Sequence, residues 1–148
     1  MLKLPPPIWT AVYVLLAAGV SRLLGWPTFP ELHAVPLGIT LVAIAWIPSV
    51  WAFILFRREG TEINPTSPAN RKLVARGPYR FTRNPMYLSL IILSLGIALW
   101  VGSWPFFLAP IAVFATANWV HIPFEEAKMR RQFGAVYDSY VRKVRRWV

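Results

Sequence analysis

Residues 85–122 read PMYLSLIILSLGIALWVGSWPFFLAPIAVFATANWVHI, without one Asp, Glu, Lys or Arg. Gly102-Ser103 is a tight turn, so the stretch divides into two apolar spans, residues 85–101 and 104–122, with Pro110 inside the second. Each reaches the roughly 17 residues that a helix needs to cross the hydrocarbon core of a bilayer. Lipid offers no partner to a bare backbone group, so spans of this length must be helices.

Two more apolar runs precede these, residues 8–24 and 35–56. The first is bounded by Arg22 and Gly25-Trp26-Pro27, and the second contains Pro48. Proline removes a backbone donor, which predicts a kink near Pro48. The first run follows one lysine and Pro5-Pro6-Pro7, and other spans come after it. It reads as a retained helix rather than a cleaved signal peptide. The expected fold is all-α and membrane-integral: about four transmembrane helices plus a C-terminal amphipathic interfacial helix, with residues 1–148 forming one domain.

Composition agrees. The chain has 148 residues, 56% hydrophobic and 15% charged, against roughly 25% charged in an average soluble domain. A small water-soluble fold cannot hide that much apolar surface. The net charge of +10 would fit nucleic acid if the basic residues shared a folded face. They do not. Of 16 Lys and Arg, seven lie in residues 57–83 and seven in 128–146, leaving only Lys3 and Arg22. This is the positive-inside pattern, and nucleic acid is not an expected partner. Both basic segments, and with four spans both termini, belong on the cytoplasmic side. Trp26, Trp100 and Trp104 then anchor span ends at one interface. There is no cysteine, which excludes disulfides and thiolate chemistry. His33 and His121 are the two histidines, too few and too far apart for a paired-His metal motif. No metal is expected.

Chemistry is left to the two basic segments. The first ends GPYRFTRNPMY at residues 77–87. Asn84 is a good N-cap and Pro85 a good first helical residue, so the third helix starts with free N–H groups that can hold a carboxylate or phosphate. By local chemistry alone the favoured reading is only a capped helix behind a solvated basic loop. The second segment reads EEAKMRRQFGAVYDSYVRKVRRW from residue 125. Phe133, Val136, Tyr137, Tyr140, Val141 and Val144 recur at helical spacing among basic residues, which predicts an amphipathic helix lying on anionic headgroups. Glu125 and Glu126 complement a helix start and can also accept hydrogen bonds from a polar ligand. His121 stands four residues before Glu125, one turn away if the helix continues through Pro123.

Together these two segments, in order and spacing, resemble the isoprenylcysteine carboxyl methyltransferase family and the related phospholipid N-methyltransferases. The likeness covers roughly residues 64–147. It implies a membrane methyltransferase that uses S-adenosyl-L-methionine, a lipophilic small-molecule acceptor and membrane lipids as partners, and no Rossmann sheet. No Gly-rich strand-to-helix fingerprint is present. Carried onto this chain, the resemblance assigns cofactor contacts to Arg71, Lys72, Leu73, Val74, Tyr79, Asn84, Pro85, Met86, Tyr87 and Glu125, with Glu126 close by. Tyr79 and Tyr87 offer aromatic faces to a sulfonium.

Asn84 and Ser89 stand where the family commonly has His and Gly. His121 stands where the prenylcysteine enzymes place a substrate-binding Arg, so a carboxylate acceptor loses a bidentate partner. An amine acceptor needs a base, for which His121 and Glu126 are the catalytic candidates. The alternatives are a phospholipid amine N-methyltransferase and a non-enzymatic membrane protein. Ionisable residues in mid-span would mark a transporter; the spans carry only Arg22 and His121, at their ends. The topology is directly testable. Cysteines introduced at Ser67 and Ser139 should resist an impermeant thiol reagent added to intact cells, and labelling of either from outside would refute the cytoplasmic placement.

Overall fold

The structure is a computed structural model that describes residues 5–60 and 72–148. Among the described residues six α-helices follow one another: α1 Pro6–Leu23, α2 Val35–Glu59, α3 Pro85–Val101, α4 Leu108–Thr116, α5 Ile122–Phe133 and α6 Ala135–Lys143. Short 3-10 turns lie at Pro30–Leu32, Gly77–Arg80 and Trp104–Phe107, and a π-turn joins α4 to α5 at Ala117–His121. The fold is an all-α integral membrane one. Pro6–Leu23, Val35–Glu59 and the continuous rod Trp104–Phe133 are each long and apolar enough to cross a membrane. The third span, α3, is shorter at 17 residues.

Side-chain exposure fits lipid as the solvent. Leu15, Trp46, Ile47, Ile111 and Trp119 are each more than half exposed, a large apolar surface that water would penalise and acyl chains do not. The packed interior uses small residues instead. A Cβ on Gly38 would come within 2.5 Å of the Trp100 nitrogen, and one on Gly96 within 2.9 Å of the Gly38 carbonyl. The α2 and α3 backbones therefore touch directly, as small residues allow between helices in membranes.

One end of the bundle is laced by two short connections. Thr28 pairs with Ser103 as an isolated bridge, and Phe29 donates to the Gly102 carbonyl at 2.9 Å. Ser103 Oγ lies 2.8 Å from the Pro27 carbonyl and 3.0 Å from Ser21 Oγ. Gly102 has φ +70°, and the His33 ring fills the space a Cβ would need. α1 is tied to α4 midway by Tyr13 and Thr116, whose hydroxyls lie 2.6 Å apart.

Two expectations need correction. The helix of the fourth span does not end near Ile122. The helix runs through Pro123 to Phe133, because the preceding π-turn widens the spiral: the Ile122 N–H donates to Ala117, five residues back. Proline has no N–H to donate, and a wide turn also relieves its clash with the preceding carbonyls. His121 and Glu125 thus share a helix face. The aromatic face of the C-terminal amphipathic helix, in turn, packs partly inward. Gly134, with φ +48° and ψ −126°, turns the chain so that Tyr137 is buried and the Tyr140 hydroxyl donates to the Tyr79 carbonyl at 2.7 Å. That backbone conformation favours glycine.

The helix contact gives a prediction. Gly38→Val forces α2 and α3 apart and should destabilise by about 1–3 kcal/mol, the usual cost of overpacking. Thermal melting in detergent measures it, whereas Gly19→Val, on a helix face with nothing within 4 Å, should cost far less.

Candidate active site

At the end of the bundle opposite the laced connections lies a cavity of about 200 Å³. Pro6 and Pro7 of α1 border it, Ser49 and Phe56 of α2 form one wall, and the start of α3 forms another. α5 contributes Glu125, Glu126, Lys128 and Met129, and α6 covers it with Tyr137 and Tyr140. The residues expected from sequence as cofactor contacts converge here: Lys72, Leu73, Val74, Tyr79, Asn84, Pro85, Met86, Tyr87 and Glu125 all line the cavity. Arg71 lies outside the described residues.

The two polar walls meet at one hydrogen bond. The Tyr87 hydroxyl donates to Glu125 Oε1 at 2.5 Å, joining the first turn of α3 to α5. Tyr79 packs its ring against Phe56, centroids 5.5 Å apart. Burial, and then the nearby Glu125 charge, raise the Tyr79 phenol above its ordinary range. Burial, followed by the Glu126 charge, pushes Tyr137 up to about 12. Burial and then Tyr137 raise Tyr140. These phenols stay protonated at neutral pH, so they offer ring faces and O–H donors rather than bases.

Asn84 behaves differently from the expected N-cap. Its side chain makes no capping bond to α3. The amide instead donates to the Arg146 carbonyl at 2.9 Å, and its backbone N–H donates to Thr82 Oγ1 at 3.2 Å. The first helical bond runs from the Leu88 N–H to the Asn84 carbonyl, so the N–H groups of Met86 and Tyr87 precede the ladder. Both residues border the cavity.

Glu126 borders the cavity as well, but its carboxylate is engaged. Arg83 donates to Oε1 at 2.7 Å and Arg146 to Oε2 at 2.6 Å. Arg83 also donates to the carbonyls of Val144 at 2.7 Å and Val141 at 3.3 Å, and Trp147 Nε1 donates to Asn118 at 3.1 Å. The last residues of the chain are thereby strapped across the approach to α3. His121 does not border the main cavity. Its ring stacks on the far side of Tyr87, centroids 6.0 Å apart, in a small hollow also lined by Trp9, Thr10, Tyr13 and Thr116. It is 4% exposed, and Nε2 has no hydrogen-bond partner among the described residues.

Several cavity residues escaped sequence reading. Tyr137 and Tyr140 showed themselves as helical periodicity but were assigned to the lipid surface. Arg83 and Lys128 were hidden among charges that the positive-inside rule already accounts for, as was Arg146, which holds Glu126 without lining the cavity. Phe56 and Ser49 looked like any other span residues.

Comparison with known proteins bears on this site. Residues 34–136 match the sequence profile of a family described as phospholipid methyltransferase. The matched range includes α2, α3, α4, α5 and most of the cavity wall. The chain is also 38% identical over 63 residues, 43% of its length, to an uncharacterized protein of Haemophilus influenzae, which is matched along 100% of its own length. No solved structure matches.

Proposed function

The chain belongs to the phospholipid methyltransferase family and is a membrane methyltransferase, and from that premise we propose that it methylates a lipophilic acceptor with S-adenosyl-L-methionine as donor. The observation that carries the reading is the convergence of nine expected donor contacts, from four separate parts of the chain, on one cavity. The donor set suits the molecule. Glu125 offers a carboxylate to hydroxyls or to positive charge, Tyr79 and Tyr87 offer aromatic faces to a sulfonium, and Leu73, Val74 and Met86 provide apolar walls for a purine.

Bound there, the donor supplies an activated methyl group: the acceptor's lone pair forms the new bond to carbon while the carbon–sulfur bond breaks and its electron pair goes to sulfur. The protein's part is alignment and exclusion of water. Tyr87 and Glu125 fix each other through their 2.5 Å bond, which sets the floor of the cavity at the membrane edge. Tyr137 and Tyr140 cover it from the other side. Pro6 and Pro7 of α1 face Ser49 and Phe56 of α2 across the same space, and a lipid enters between these helices with its chains still in the bilayer. The donor arrives from the cytoplasm, where the basic segments belong by the positive-inside rule.

Of the two catalytic candidates, Glu126 is a positioning residue. Its two arginines hold the carboxylate as an anion and leave little lone-pair capacity for a substrate proton. His121 is the better candidate base: Nε2 is buried without a partner among the described residues, in a hollow that shares Pro6, Tyr87 and Leu90 with the cavity and so adjoins it. A base is needed where the acceptor nitrogen loses a proton on methylation, so a phospholipid amine fits better than a prenylcysteine carboxylate.

Donor binding is testable without knowing the acceptor. S-Adenosylhomocysteine at one hundred times its dissociation constant should stabilise the detergent-solubilised protein by about 2.7 kcal/mol, seen as a raised melting temperature. Glu125→Ala and Tyr87→Ala should each shrink the shift while remaining folded. No shift in the parent protein at millimolar ligand, with folding confirmed, defeats the donor assignment.

A further inference from the structure

Past Tyr87 the main cavity adjoins the small hollow that holds His121, and the two share Pro6, Tyr87 and Leu90. They differ in size. The cavity measures about 200 Å³ and the hollow about 10 Å³, the space of roughly one water molecule. α1 supplies Trp9 and Tyr13 to the wall of the hollow, α4 supplies Val113 and Thr116, and the π-turn supplies His121. These walls are braced. The Tyr13 and Thr116 hydroxyls, 2.6 Å apart, pin α1 to α4, and Val113 and Ala117 are buried. His121 stacks on Tyr87, which Glu125 holds in turn. A packed wall of this kind resists even one extra methylene.

The chemistry of the hollow is equally narrow. Among the described residues no Asp, Glu, Lys or Arg lines it, so a carboxylate or phosphate finds no counter-charge there. The Thr10 hydroxyl donates to the Pro6 carbonyl at 3.3 Å, and those of Tyr13 and Thr116 engage each other. His121 Nε2 is left buried without a partner among the described residues. With hydrogen on Nδ1, Nε2 is an acceptor, and a buried acceptor left unmatched is costly. The partner that fits both the space and the acceptor is an N–H.

We propose that the hollow admits a hydrogen on the acceptor nitrogen but not a methyl group, so that methyl transfer to an amine stops after the second methyl. This rests on the amine-acceptor reading above and adds how many methyl groups the product carries. In the attacking geometry the nitrogen sits where hollow and cavity meet. Its lone pair points at the donor methyl, and its hydrocarbon chain points back to the bilayer between α1 and α2. Two directions remain, and one of them enters the hollow. The lone pair of a neutral primary or secondary amine forms the bond to the methyl carbon while the carbon–sulfur bond breaks and its electron pair goes to sulfur. The new ammonium gives its hollow-facing proton to Nε2, and the imidazolium returns that proton to water once the product leaves. A primary amine always has a hydrogen for the hollow. A secondary amine has one too, with its methyl in the remaining direction. A tertiary amine offers the hollow only a methyl group.

The test uses synthetic dioleoyl phospholipids whose headgroup amine is primary, N-methyl or N,N-dimethyl, each given separately to the purified full-length protein with saturating S-adenosyl-L-methionine. Initial rates and product masses are read by mass spectrometry. The primary and N-methyl lipids should react at similar rates and the N,N-dimethyl lipid at least about tenfold more slowly, the lower end of what one methylene is worth in a fitted pocket. Val113→Ala and Thr116→Ser each enlarge the hollow, and Thr116→Ser keeps the hydroxyl that meets Tyr13. At least one of them should raise the rate of the third transfer relative to the first by about tenfold. A melting-temperature shift with S-adenosylhomocysteine shows that each variant is folded. A quaternary ammonium lipid as the main product of the parent overturns the size limit and leaves the amine reading standing. An unchanged ratio in both folded variants also overturns it, since the stop is then set elsewhere. A parent protein that binds S-adenosylhomocysteine but methylates none of the three lipids defeats the amine-acceptor reading itself, and this inference with it.

Discussion

Glu126 accepts from Arg83 on one oxygen and from Arg146 on the other, and around this carboxylate the cavity end of the molecule is assembled. Arg83 belongs to the loop before α3, Glu126 to α5 and Arg146 to the C-terminal tail, so three separate parts of the chain meet at one group. The Arg146 carbonyl then accepts from both Thr82 and Asn84, which fixes the loop leading into α3. Breaking a buried ion pair by removing one partner leaves an uncompensated charge, at a cost of about 3–5 kcal/mol. Here it would leave two arginines unmatched and release the strap that holds the start of α3 beside α5. The cavity depends on that arrangement, because Tyr87 reaches Glu125 only while the two helices stay opposed.

The arrangement in turn depends on how the chain treats Pro123. A break there would have sent Glu125 and Glu126 off with the amphipathic segment. The π-turn at Ala117–His121 lets the helix pass the proline, so a single rod carries apolar residues through the bilayer and both acids to its edge. Gly134 then makes the turn that brings α6 back over the cavity. A reaction that needs alignment and dryness more than acid–base work is well served by such a place, where lipid meets water and the walls are mostly apolar.

Much of this was legible in the sequence, and the failures share a cause. The four spans could be read because lipid imposes length and apolarity on any crossing segment, and α3 runs over residues 85–101 as expected. The expected cofactor contacts were carried by the resemblance over roughly residues 64–147, and those among the described residues line one cavity. Periodicity found the aromatic face of α6 but could not say which surface that face would meet. Tyr137 and Tyr140 turned toward Tyr79, not toward lipid. Asn84 has the right side chain for an N-cap, yet a carbonyl 62 residues away in sequence took its amide. Lys128 was unreadable as a site residue, because a lysine after a span is what topology alone demands.

The central claim is that a methyl group passes from S-adenosyl-L-methionine to a lipid in this cavity. Incubation of the purified protein with methyl-labelled donor and a membrane lipid extract, followed by organic extraction, measures it directly. The account predicts label in a lipid-soluble product with the parent protein, favouring amine-bearing lipids over prenylcysteine carboxylates, and little label with Glu125→Ala. Parent protein that binds the donor but labels no lipid from any membrane extract would contradict it.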